Sequence, residues 1–160
     1  MVLVPVRYLP FRLTRKDKAK QARALSRSRK AYKVGKYYTR PKIASFKSQK
    51  SNHILRAEKM YRVNSIVPNQ ELARKTGCSI AALKDIVKKG EGAYYSSGSR
   101  PNQTARSWGL ARLASSITGG KASAVDYAIL ERGCNHRTSR AFRLAKSPSF
   151  GRKHTRRVDV

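Results

Sequence analysis

The sequence predicts a mainly α-helical protein: a small helical body of two helical hairpins, the first helix-turn-helix-like, with extended basic N- and C-terminal arms. Three observations predict it. Apolar residues recur at helical spacing in two neighbouring stretches of the middle, glycines and capping residues punctuate those stretches, and the cationic charge is concentrated outside them.

The charge divides the chain into three parts. Residues 1–57 hold 17 Lys and Arg against one acid, Asp17, and 135–160 hold eight against Asp159, whereas 58–134 hold 12 against six. We expect 1–57 to be a basic arm with one or two helices, 58–134 the compact domain, and 135–160 a basic strap. A chain of net charge +29 repels itself, so a polyanion is the expected counter-surface: nucleic acid, an acidic protein or anionic lipid. The apolar start is short and interrupted by Pro5, which predicts neither a signal peptide nor a membrane span. Cys78 and Cys134 make no disulfide framework, and a reducing compartment is expected.

Val2 to Leu13, with Pro5 and Pro10, reads as an extended arm or a disordered tail. Thr14 and Asp17 have capping-box spacing and start a helix that Gly35 stops. Its apolar stripe of Ala22, Leu25 and Tyr32 is thin, and such a helix is marginal alone. Lys36 to Pro41 mixes cations with Tyr37 and Tyr38. That mixture stacks on bases and grips phosphate in single-strand binders, although tyrosines also serve to pin a segment to its body. A further helix is expected within Ser45 to Tyr61, strongest from His53, followed by a short strand or connector over Val63 to Val67 that Pro68 ends.

The run Asn69 to Val87 has the spacing of a helix-turn-helix, with Leu72 and Ala73, then Gly77 at the turn, then Leu83 and Ile86. Its second helix would expose Ser79, Ala81, Ala82, Lys84 and Asp85, a set without the Arg, Asn and Gln that discriminate base edges. Next, Lys88 to Arg106 crowds glycines, Tyr94, Tyr95 and Arg100-Pro101-Asn102 into what reads as one ordered loop. Ser107 is the expected N-cap of a helix carrying Leu110, Ala111, Leu113, Ala114 and Ile117 and ending at Gly119-Gly120. Arg106 and Arg112 fall on its polar side. Ser123 and Asp126 begin another helix through Val125, Ile129 and Leu130 to Gly133. Trp108 is expected to be buried between the two hairpins, and Arg100 to be held rigidly by backbone carbonyls or a carboxylate. Phe142, Leu144 and Phe150 would anchor the C-terminal strap.

Catalytic chemistry is not predicted. The eight acids are scattered singly, a zinc site would need Cys78, Cys134, His53 and His136 to converge without paired spacing, and Gly90-Glu91-Gly92 and Gly119-Gly120-Lys121 lack the strand-to-helix setting of a phosphate loop. No enzyme activity, cofactor or metal is therefore expected. The structural motif is Gly90, Gly92, Tyr94, Arg100, Pro101, Asn102, Trp108 and Arg112. The candidate polyanion contacts are Arg15, Lys16, Lys20, Arg27, Arg29, Lys36, Arg40, Arg152, Lys153 and Arg156.

Lys89 to Tyr94, Ser97 to Thr104, Ser107 to Ser115, Thr118 to Lys121 and Gly133-Cys134 resemble a domain family of unknown function found in nucleocytoplasmic large DNA viruses, especially the chlorella-virus-like group. The resemblance implies a virion protein. The role expected is a minor capsid protein inside the outer shell, cementing capsomers through its arms and assembled in the host cytoplasm. Major and minor capsid proteins are the expected partners, with DNA or the inner viral membrane surface as further ones. The other reading is a genome-associated, sequence-tolerant DNA-binding protein.

Overall fold

A computed structural model describes residues 3–147 and 157–159. Mainly helical, it divides into two compact units, each discontinuous in sequence: 1–49 with 91–108 and 153–160, and 50–90 with 109–152. This is a different division from basic arm, body and strap.

In the first unit, the expected N-terminal arm is folded. Strand β1 (Leu3–Pro5) pairs antiparallel with β2 (Arg157–Asp159), Val4 opposite Val158. A 3-10 turn over Val6–Tyr8 follows. Helix α1 (Arg15–Lys33) starts as predicted, with the Asp17 N–H donating to the Thr14 hydroxyl at 3.2 Å. It ends at Gly35, whose φ of 76° is left-handed. Burial of Val4, Tyr8, Leu25, Leu9, Leu13 and Ile43 explains why the segment packs. Of the apolar residues of the start, Val4, Tyr8, Leu9 and Leu13 are core residues here, while Leu3 and Phe11 stay exposed.

The first unit is completed by residues distant in sequence. The Arg40 guanidinium is buried and donates from Nη1 to Ser28 Oγ (2.8 Å) and the Tyr94 carbonyl (2.7 Å), and from Nη2 to Ser99 Oγ (2.7 Å). It also lies 3.8 Å over the Tyr94 ring. Burial pushes its pKa below the ordinary arginine value. Asn102, at φ 64°, acts as a second clamp. Its Oδ1 accepts from Ile43 N at 2.6 Å, while its Nδ2 donates to the carbonyls of Ile43 (3.1 Å) and Phe46 (2.9 Å).

In the second unit, α2 (Asn52–Tyr61) leads through an extended connector, without a strand, to α3 (Gln70–Thr76) and α4 (Ile80–Ser96). The helix-turn-helix geometry is present. Asn69 caps α3, and the turn needs Gly77, whose φ is 74° and where an added Cβ would meet Ser139 Cα at 2.8 Å. Gly90 and Gly92 lie inside α4, so the loop is confined to 97–104, shorter than expected. Gly90 is there for close approach: an added Cβ would meet Gly109 Cα at 2.7 Å. At Gly92 nothing lies within 4 Å, and no packing reason for it is evident.

Helix α5 (Ala105–Ile117) is capped by Thr104, not Ser107: Ser107 N donates to Thr104 Oγ1 and Thr104 N to Ser107 Oγ, at 3.0 and 2.9 Å. Two short helices, α6 (Lys121–Val125) and α7 (Tyr127–Gly133), replace the single one expected after Gly120. The break falls at Asp126, which is fully buried and serves as an ion-pair centre, not a cap. Its Oδ2 accepts from Arg112 Nε (3.0 Å) and Ser116 Oγ (2.6 Å), its Oδ1 from Arg112 Nη2 (2.7 Å), and Lys89 Nζ is 3.6 Å away. Arg112 is thus turned inward and not on a polar face. Helix α8 (Arg140–Lys146) buries Ala141, Phe142 and Ala145 in the same core as Leu83, Ile86, Leu113 and Leu130, so this part of the expected strap is body. Phe150, like Arg152, Lys153 and Arg156, lies outside the described residues.

Cys78 and Cys134, both buried, form a disulfide across a sequence separation of 56. The sequence offered too few cysteines to suggest a pairing. Trp108 is half-buried in the first unit, where it meets Tyr8 edge to face at 5.8 Å, and does not join the core of the two hairpins. Its indole needs a partner of matching size, and Tyr8 from the folded N-terminal segment supplies it.

Reducing the disulfide should lower stability by about 4 kcal/mol in the chain-entropy account, read as a lower urea midpoint that Cys78→Ser with Cys134→Ser reproduces. Arg40→Ala should cost about 3 kcal/mol through lost charge-assisted bonds and unpaired buried acceptors. Arg40→Lys should not restore it in the same urea titration, because one ammonium lacks the fork that reaches Ser28 and Ser99 together.

Candidate functional site

Helix α1 carries the candidate site because its two faces have opposite requirements. Gln21, Ala24, Leu25 and Ser28 are buried, and the polar two are satisfied locally. Gln21 Nε2 donates to the Tyr8 carbonyl at 3.1 Å, and Ser28 Oγ to the Tyr95 carbonyl at 3.3 Å. A thin apolar stripe therefore suffices to seat the helix, with side-chain hydrogen bonds supplementing it.

The outward face carries Lys16, Lys20, Arg23, Arg27 and Lys30, all exposed. At 3.6 residues per turn these five positions fall within an arc of about 80° and extend over about 21 Å. Over that length a duplex presents roughly a dozen phosphates. A shallow, open depression on this side is lined by Arg23, Ser26, Arg27, Lys30, Ala31 and Val34. The one acid of α1, Asp17, is bonded to Ser45: its Oδ2 accepts from Ser45 N at 2.8 Å, and Ser45, by side chain and N–H, with the charges of Lys20 and Lys16 adding to it, holds the carboxyl below its usual range.

Two cations of the stripe are positioned by internal contacts. Lys20 Nζ donates to the Lys42 carbonyl at 3.1 Å, and the Arg27 guanidinium lies 4.5 Å over the Tyr38 ring. Beyond the helix, Tyr37 is 71% exposed. Its ring centroid is 6.2 Å from Tyr32 and 5.0 Å from Tyr95. The described residues of the unit that contains α1 include 18 Lys and Arg against three acids, so the stripe sits in a field of one sign.

Of the sequence candidates, Lys16, Lys20 and Arg27 lie on this face. Arg15 and Lys36 are exposed beside it, and Arg29 is half-buried on another side of the helix. Arg40 is no surface contact, since its charge is enclosed by Ser28, Tyr94 and Ser99. Arg100 is exposed, and although its carbonyl accepts from Ser99 Oγ at 2.8 Å, its guanidinium makes no hydrogen bond or ion pair among the described residues, against the expectation of a rigid anchor. Partial burial and then the neighbouring Arg7 push its pKa down. Tyr94, Pro101 and Ser99 are buried and structural. Arg23 and Lys30 were missed, although the spacing i, i+4, i+7, i+11, i+14 from Lys16 contained them.

Both cysteines are taken up by the disulfide, and among the described residues no group of three or more His, Cys, Asp or Glu is placed to hold a metal ion. No helix of the described residues is long and apolar enough to cross a membrane. What the α1 face offers is a line of positive charge, joined through Arg27 to the Tyr38 ring.

No curated protein and no solved structure matches the chain. Residues 5–132 match the model of a family described as "Family of unknown function (DUF5824)". That span takes in α1 with its cationic stripe, both clamps and the whole of α4 to α6, and on it the chain belongs to this family of unknown function.

Proposed function

We propose that this protein is a non-enzymatic nucleic-acid-binding protein that grips the phosphate backbone without reading sequence. The observation that carries the reading is the stripe Lys16, Lys20, Arg23, Arg27 and Lys30 on a helix with a single acid, Asp17, which is bonded to Ser45 N. Cations on a rigid helix neutralise phosphates and release counterions, which supplies affinity but no sequence information. The helix-turn-helix adds none either. The exposed positions at the start of α4 are Ser79, Ala81, Lys84 and Asp85, which lack base-edge readers, and Ala82 is buried.

A second reading, a cement protein under the shell of a large DNA virus, is supported by the resemblance carried by the Lys89 to Lys121 segment. Its physical ground was the reach of extended arms, and the folding of β1, α1 and the Arg40 segment removes the N-terminal half of that ground. Stepwise disruption of particles separates the readings. A genome-bound protein leaves with the DNA, and a cement protein stays with the shell proteins.

The first reading is tested by salt titration of binding to an arbitrary DNA sequence. Replacing Lys16, Arg23 and Lys30 by Gln leaves the internal contacts of Lys20 and Arg27 intact. It should flatten the log–log salt slope by about 2 to 3, equally for unrelated sequences. An unchanged slope would remove α1 from the interface.

A further inference from the structure

We propose that the nucleic acid is taken as an unpaired strand, with a base stacked on Tyr37. This rests on the phosphate-binding reading above and adds the base to it. A single exposed aromatic needs no explanation, but three features set this one apart.

Its backbone is fixed on both sides. Lys36 N donates to the Ala31 carbonyl at 2.9 Å, the Tyr38 ring lies under the Arg27 guanidinium at 4.5 Å, and Arg40 N donates to the Tyr94 hydroxyl at 3.1 Å. Residues 36, 38 and 40 are thus tied down while the side chain of 37 is left outside. The ring is also supported from within, at 5.0 Å and 51° from Tyr95 and 6.2 Å and 52° from Tyr32. A ring already held by its neighbours loses little conformational freedom when a ligand lands on it. Finally, the surroundings are cationic: Lys33 and Lys36 are exposed beside it, and Arg27 of the stripe stacks on the adjacent Tyr38.

An aromatic ring backed by its neighbours and flanked in sequence by cations is a combination that holds single strands, the charges following the phosphates while the ring takes a base. In a duplex the base faces are stacked inside and out of reach, so a platform of this kind serves only unpaired bases.

The test uses the full-length protein and three labelled oligomers of equal length followed by fluorescence anisotropy: oligo(dT), a DNA duplex, and an abasic phosphodiester strand. Oligo(dT) should bind about tenfold tighter than the abasic strand, and tighter than the duplex. Tyr37→Ala should abolish that margin, Tyr37→Phe should keep it, and neither should change affinity for the abasic strand. Equal binding of oligo(dT) and the abasic strand, or a margin that survives Tyr37→Ala, overturns the proposal while leaving the phosphate track in place. If the Lys16, Arg23 and Lys30 variant binds all three oligomers as the wild type does, the phosphate-binding reading falls as well.

Discussion

A buried guanidinium that meets no carboxylate among the described residues organises the first unit. Arg40 gathers Ser28 of α1, Tyr94 at the end of α4 and Ser99 of the following loop onto one planar group, with the Tyr94 ring beneath it. Removing a full charge from water is costly, and neutral oxygens return only part of that cost. The arrangement therefore holds only while every one of those oxygens is in place. That requirement explains the neighbouring clamp at Asn102, which fixes the backbone after Arg40. Together they fix α1 and the Tyr37 segment, and with them the proposed face.

The elements that depend on local chemistry were legible in the sequence. The Thr14 cap, the stop at Gly35, the helix-turn-helix and the stripe of α5 all rest on residues a few positions apart. What was not legible depends on distant partners. Arg40 is one cation among many in 1–57, and only the arrival of Ser99 and Tyr94, more than fifty residues later, marks it as interior. Gly90 read as loop punctuation because its reason is the backbone of Gly109. The cations around Phe142 disguised a core helix as a strap, since Arg140, Arg143 and Lys146 set the composition while Ala141, Phe142 and Ala145 set the burial.

The candidate face was half legible for the same reason. Lys16, Lys20 and Arg27 stood out as charge, whereas their continuity with Arg23 and Lys30 is a property of the helix surface. The two units treat their charge differently. In the second, Asp126 draws Arg112 and Lys89 inward around one buried carboxylate. In the first, the five exposed cations of the α1 stripe share a helix with one acid, Asp17, which is bonded to Ser45 and lies near Lys20 and Lys16. Self-repulsion of that kind lowers stability and is relieved when phosphates lie along it. Packing at Leu25, Tyr8 and Val4 is the opposing force that keeps the helix in place.

The disulfide has a topological consequence. Residues 91–108, which complete the first unit, lie within the covalent ring closed between Cys78 and Cys134. A protease that cuts once in the loop at 97–104 would leave an oxidised molecule in one piece, with Tyr94 and Trp108 on opposite sides of the nick yet still tethered. Only a thiol reductant would let the two fragments part, and each would carry away a share of both units. Neither unit corresponds to a continuous stretch of gene, so neither can be obtained by trimming the chain from one end.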